Sequence, residues 1–309
     1  MSWHRPHGSA SRDGWDVVVE PDASGWEHTG LYAGRLADGE TRTFEAGHRE
    51  HVVVPLSGSV AVVAEGGSGR DEAKLEGRAS VFAGATDVAY VPAGSTLSVT
   101  AAGDARVAVV FALTASAHSR FPFRHVAAGE VPVELRGAGM ASREVRNFGI
   151  PGVLDADSII ACEVVTPAGN WSSWPPHKHD EERPGEETQL EEIYYFEVDP
   201  TERSELGSTS GEQPAEGGPG MGYVRVYGTE HRPIEVLAEV RSGDVVLVPH
   251  GWHGPAMAAP GYDLYYLNVM AGPGEERAWL ICDDPAHGWV RDTWPDQQVD
   301  PRLPLGGTR

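Results

Sequence analysis

The sequence predicts an all-β protein built as two antiparallel β-domains in one chain. Three observations carry this. The 309 residues include 38 glycines and 23 prolines without a repeat period, a spread that breaks long helices and does not fit collagen. Short runs of alternating or wholly apolar β-formers recur between turn residues, while helical periodicity is scarce. Residues 87–94 and 244–251 agree in five of eight positions (Asp, Val, Val, Pro and Gly), each a strand closed by a Pro-x-Gly turn late in its half of the chain. A duplicated β-domain explains that echo, and two domains of about 150 residues suit the length.

In order along the chain, strands are expected at residues 51–56, 59–64, 88–91 and 105–111, then at 158–165, 192–198, 222–227, 244–248 and 263–269. Residues 118–145 interrupt this rhythm, which places an N-terminal domain at 1–128 and a C-terminal domain at 129–309. The stretch from Asp199 to Gly220 is rich in Ser, Thr, Gly, Glu and Pro. It reads as a surface loop joining two strands, with an active-site lid as the second reading.

Composition excludes several functions. A net charge of −22, with no basic run, repels nucleic acid and anionic lipid. Mean hydropathy is −0.32, and the longest apolar runs, such as residues 107–113, are far short of the roughly 20 needed to cross a bilayer. The first eight residues lack the apolar core of a signal peptide, and two cysteines, Cys162 and Cys282, cannot form a disulfide framework. A reducing cytoplasm is expected, with a small-molecule partner; assembly into a homo-oligomer is left open.

The chemical signal is densest at His177-Lys178-His179, followed by Glu191-Glu192 and later by His250 and His253. On an extended strand, side chains alternate faces, so His177 and His179 point the same way and Lys178 points away. A carboxylate on the next strand, Glu192, and a histidine beyond a later turn, His253, complete a metal set with open positions for substrate. His250 is the alternative third histidine.

The pattern of a His-x-His pair, a Glu, and a Pro-x-Gly turn with a His beyond it resembles the two cupin motifs. His253 lies one position nearer its turn than usual, and the first half, around Pro92-Ala93-Gly94, resembles a cupin repeat without the histidine, expected to be metal-free. A narrower resemblance, covering nearly the whole chain, is to the 5-deoxy-glucuronate isomerase family of inositol catabolism. It is carried by residues 166–180, by Glu191-Glu192-Ile193-Tyr194-Tyr195, by residues 260–272 and by residues 283–290. The resemblance implies a bicupin of two jelly-roll barrels, the second holding a divalent ion (Zn or Mn ahead of Fe or Ni) on His177, His179, Glu192 and His253. It implies conversion of 5-deoxy-D-glucuronate to 5-dehydro-2-deoxy-D-gluconate.

Such an aldose-to-ketose shift removes a C–H proton beside the aldehyde, so it needs a base, and an anionic sugar acid needs a cation. If Glu192 faces the lumen, Tyr194 and Phe196 share its face. One side of the next strand offers Tyr223, Arg225 and Tyr227. Arg225 is the expected carboxylate partner, and Glu191 or Tyr223 the expected base. Trp171, Trp174 and Trp252 are candidates for the pocket wall. An enediol route is expected over a hydride shift. The rival readings are a cupin Fe(II) dioxygenase, an isomerase of 4-deoxy-5-keto-hexuronate and a non-enzymatic sugar-binding bicupin.

Overall fold

The structure, a computed structural model, describes residues 2–22, 25–67, 69–200 and 220–306. Its strands form three antiparallel sheets among the described residues. Most of the loop expected between Asp199 and Gly220 lies outside them.

The first half rolls into an eight-stranded sheet. Its centre is a pair of strands, Arg49–Gly66 and Thr96–Leu113, each 18 residues long. Residues 51–56 and 59–64, expected as two strands, are therefore one. The chain bulges between Pro55 and Ser59 instead of turning. Gly58 makes this bend at φ 76°, and a Cβ there would sit 2.6 Å from the Asp104 carbonyl oxygen.

The second half stacks a seven-stranded sheet, including Ile160–Thr166, Glu191–Pro200, Val245–Val248 and Tyr262–Ala271, on a six-stranded sheet that includes His177–Lys178, Gly222–Tyr227 and Trp252–Ala258. Tyr194, Phe196 and Tyr266 of one meet Val224, Val226 and Ala256 of the other in a single core. The echoed segments hold equivalent places: Val88–Val91 pairs with Arg49–Gly66, and Val245–Val248 with Glu191–Pro200.

Several strands are apolar on both sides because both sides are buried. In Glu191–Pro200, Tyr194 and Phe196 face the interior of the second barrel. Ile193 and Tyr195 face the first barrel, packing in one cluster with Leu31, Val52, Val54 and Val110. The last strand of the first sheet is Arg124–Val126, and the next, Val133–Arg136, joins the second half. One element departs from the expected division. The strand His4–Arg5 pairs with Val245 and Val246 of the second half, held there by Asp244, which lies 3.1 Å from the His4 ring and accepts a 2.8 Å bond from the His7 amide.

Candidate metal centre

The short strand His177–Lys178 pairs with Trp252–Ala258, which sets His177 directly opposite His253. His179 follows on the same side. The ligating nitrogens of His177, His179 and His253 all lie within 4.8 Å of one another. From the facing sheet, a Glu192 carboxylate oxygen lies 3.1 Å from His179 Nε2 and 3.2 Å from His253 Nε2. All four residues are buried.

The donor set fits a cation. His179 Nδ1 lies 3.2 Å from the Leu190 carbonyl and His253 Nδ1 lies 3.1 Å from the Gly251 carbonyl. Carbonyls only accept, so both Nδ1 atoms carry hydrogen, and in the neutral rings both Nε2 lone pairs face the Glu192 carboxylate. His253 Nε2 is buried without a hydrogen-bond partner. Lone pairs converging on a carboxylate repel unless a proton or a metal ion stands between them. Burial opposes ionisation of Glu192, but His179 and His253 outweigh it when their Nε2 atoms carry protons and hold the carboxyl at about 2, the place of those protons being the one a metal ion would take. Burial, followed by the neighbouring His253 and His179, pushes His177 well down, which keeps its ring neutral and available as a ligand.

A second layer fixes these segments. Lys178, on the opposite side as the alternation requires, donates to Asp180 (2.7 Å) and Glu187 (2.8 Å). Asp180 also accepts from the Gly251 amide (2.9 Å) and from Arg232 (3.0 Å). The His-x-His segment is thereby tied to the Pro-x-Gly turn that carries His253.

A cavity of about 400 Å3 opens onto His177, lined by Arg136, Arg143, Arg291 and Trp279 among others. It continues inward past Glu192, Tyr194, Tyr266, Ser173 and Asn268. Ser173 Oγ bridges the phenols of Tyr194 (3.3 Å) and Tyr266 (3.0 Å). Burial raises Tyr266 to about 12.

Residues 3–290 match the KduI/IolB family. This chain belongs to that family. A 5-deoxy-glucuronate isomerase from Geobacillus kaustophilus (strain HTA426) is 39% identical over 295 residues, covering 93% of this chain and 95% of the relative. The crystal structure of an IolB-like protein from Salmonella typhimurium LT2 superposes with a TM-score of 0.78 at 32% identity, covering 94% of this chain and 99% of that one. The oxalate decarboxylase of Lactobacillus farciminis matches in fold alone, with a TM-score of 0.57 at 12% identity over 83% of this chain and 79% of that one. The fold is an all-β bicupin.

Within this KduI/IolB chain, the expected base and carboxylate partner fall elsewhere. Glu191 faces the first barrel, where its carboxylate accepts from the amides of Glu27 (2.9 Å), His28 (2.9 Å) and Thr29 (2.7 Å) and from the Thr29 hydroxyl (2.8 Å). Every lone pair aimed at a proton donor there is lost to chemistry at Glu192, on the opposite face. Val224 and Val226 take the inward positions of their strand, so Tyr223 and Arg225 turn outward. Tyr223 is half-buried with its hydroxyl 3.5 Å from Glu239. Arg225 is exposed, lying over the Tyr227 ring at 4.3 Å and 3.8 Å from Glu235. His250 lies outside the histidine cluster.

Of the tryptophans, Trp171 and Trp174 meet edge to face at 5.3 Å and wall an apolar groove with Trp294, while Trp252 lies 5.7 Å from Lys178 Nζ. Trp279 lines the cavity instead. Sequence reasoning missed Arg136, Arg143, Arg291, Ser173, Tyr266 and Asn268. Tyr266 and Asn268 were within reach, since they alternate with Tyr265 and Leu267 on an expected strand. The arginines carried no local signal.

Proposed function

We propose that this protein is a metal-dependent 5-deoxy-glucuronate isomerase of inositol catabolism, acting in the cytoplasm on 5-deoxy-D-glucuronate to give 5-dehydro-2-deoxy-D-gluconate. Relatives of that name match nearly the full chain, and among the described residues no helix is long and apolar enough to cross a membrane. The observation that carries the reading is the meeting of His177, His179, His253 and Glu192, of which His177 and Glu192 line an arginine-lined cavity. That meeting supports a metal site in the barrel of residues 129–309.

A divalent ion, Zn or Mn ahead of Fe or Ni, would supply a Lewis acid there for the carbonyl and the neighbouring hydroxyl. The chain's own part is to fix the donors. The Leu190 and Gly251 carbonyls set the ring tautomers, and Asp180 joins the two ligand-bearing segments. In the isomerisation one hydrogen leaves the carbon beside the aldehyde and another joins the aldehyde carbon, while the neighbouring hydroxyl gives up its proton to become the ketone and the aldehyde oxygen gains one to become the alcohol. The groups beside Glu192 in the inner cavity are Tyr194, Tyr266 and Ser173, and these replace Glu191 and Tyr223 as the proton-handling candidates.

An NMR time course of metal-loaded protein with 5-deoxy-glucuronate tests substrate and reaction together. Appearance of the ketose without oxygen uptake is expected, faster than any turnover of 4-deoxy-5-keto-hexuronate. Unchanged sugar would leave a binding protein, and oxygen consumption a dioxygenase. In D2O, deuterium should appear at the former aldehyde carbon, and full retention of protium would point to a hydride shift.

A further inference from the structure

We propose that Arg143, flanked by Arg136 and Arg291, forms a carboxylate-binding subsite that orients an open-chain sugar acid with its aldehyde end toward the histidine cluster. The inference rests on the isomerase reading for its ligand class. Its physical basis is an unbalanced buried charge.

Arg143 is 5% exposed. Among the described residues its hydrogen bonds go to backbone carbonyls, from Nη1 to Ala141 (3.0 Å) and to Trp174 (3.5 Å). Its two neighbours differ: Arg136 pairs with Glu134 at 2.7 Å and Arg291 with Asp283 at 2.7 Å. Among the described residues those two guanidinium groups at the cavity each pair directly with a carboxylate, and Arg143 pairs directly with none, feeling Glu134 only at longer range. A buried cation with no counter-charge is strongly unfavourable. It sits here beside two like charges, in a chain whose net charge is −22. Burial, opposed by Tyr266 and Glu134 and reinforced by repulsion from Arg136 and Arg291, lowers Arg143 only to about 10, so it stays charged at neutral pH.

The position is also built. The Arg143 guanidinium lies 5.4 Å from the Trp294 ring and that of Arg291 lies 5.1 Å from the same ring. Trp294 belongs to the 3-10 helix Gly288–Asp296, so the C-terminal segment holds both arginines at the cavity. A planar guanidinium fork with free N–H groups matches a carboxylate in a bidentate pair. Arg136, Arg143 and His177 line both the outer cavity and its inner extension. A ligand anchored on Arg143 therefore extends toward the ligand histidines. In an open-chain sugar acid the carboxylate and aldehyde occupy opposite ends, which suits this arrangement.

The test uses the full-length metal-loaded protein, with calorimetric binding of D-glucuronate and of D-glucose as its neutral counterpart, and with steady-state kinetics on 5-deoxy-glucuronate. Arg143→Met should weaken D-glucuronate at least about tenfold, as expected for loss of a charge-assisted pair, and leave D-glucose and metal content unchanged. KM should rise more than kcat falls. Arg143→Lys should recover part of the loss. Arg291→Met, at a less buried site, should give a smaller effect in the same direction and covers the case in which the Arg143 variants do not fold. Wild-type affinity for D-glucuronate in folded, metal-loaded Arg143→Met overturns the subsite, as does an equal loss for both sugars. If D-glucuronate binding depends on Arg143 but the wild type leaves 5-deoxy-glucuronate unchanged, the subsite stands and the isomerase reading fails.

Discussion

His179 and His253 show how a ligand is made from an ordinary histidine. Each gives its Nδ1 hydrogen to a backbone carbonyl and turns Nε2 toward Glu192, so the tautomer is set before any ion binds. Replacing His177, His179 or His253 by Ala should lower bound metal at least about tenfold, measured by elemental analysis of purified variants. His250→Ala and His51→Ala should keep it. His51 is a useful contrast because it follows Glu50 as Glu192 follows Glu191. It is buried among Phe44 and Phe111 with both ring nitrogens unpartnered, and burial drives it down to about 3. The first barrel thus keeps an imidazole at the corresponding place and surrounds it with rings that cannot ligate.

At the scale of elements, the site depends on three short segments held at fixed separations. Gly254, at φ 100°, lets the strand after His253 pass so close to Ser173 that a Cβ would meet its carbonyl oxygen at 1.9 Å. That approach also delivers Ser173 Oγ to Tyr194 and Tyr266. Asp180 links the other two segments through Lys178 and the Gly251 amide. Asp180→Ala, with every metal ligand intact, should therefore weaken metal binding about 10- to 100-fold, the range for a residue that orients ligands from behind. Metal titration of the folded apo-protein reads this directly, and unchanged affinity would reduce Asp180 to a surface-network role.

At the scale of the molecule, the two barrels exchange carboxylates. Glu191 of the second caps the amides of Glu27, His28 and Thr29 ahead of the strand Thr29–Leu36. Glu50 of the first caps those of Asp157 (2.8 Å), Ser158 (2.6 Å) and Ile159 (2.7 Å) ahead of Ile160–Thr166. Arg106 pairs with Glu197 (3.0 Å) and Arg78 with Glu163 (3.0 Å) across the same boundary. Glu191→Ala should cost about 2–4 kcal/mol in chemical denaturation, because buried amides lose a charged acceptor, while metal content and kcat stay within a few-fold of wild type. A collapse of kcat in the folded variant would restore Glu191 to the chemistry.

The same boundary predicts acid sensitivity. Burial opposes ionisation of Glu163, yet Arg78, followed by Arg146, outweighs it and holds the carboxyl below its ordinary value. A carboxyl depressed in the folded state contributes stability above its unfolded pKa of about 4.3 and loses it as pH falls through the folded value. Thermal melts should hold steady from neutral pH down to about 5 and fall below that. Glu163→Gln should start lower and fall less steeply over that acid window.

The β class, the duplication and a candidate ligand set, with His250 left as the alternative to His253, are legible in the sequence. Each of these rests on a period of two or on spacing along one strand: His177 with His179, Glu192 with Tyr194 and Phe196, and the Pro-x-Gly turn repeated in both halves. Which face of a strand meets the cavity was decided only by tertiary structure. Shifting a strand's phase by one residue exchanges its two faces, and here both faces of Glu191–Pro200 are buried, so apolar patterning does not mark the lumen. Glu191 was therefore free to serve the other barrel, Arg225 to face solvent, and Arg143 to enter the cavity. Arg143 meets Trp294 and Arg291 only because the C-terminal segment folds back onto the second barrel, a contact between residues far apart in the chain that no local pattern encodes.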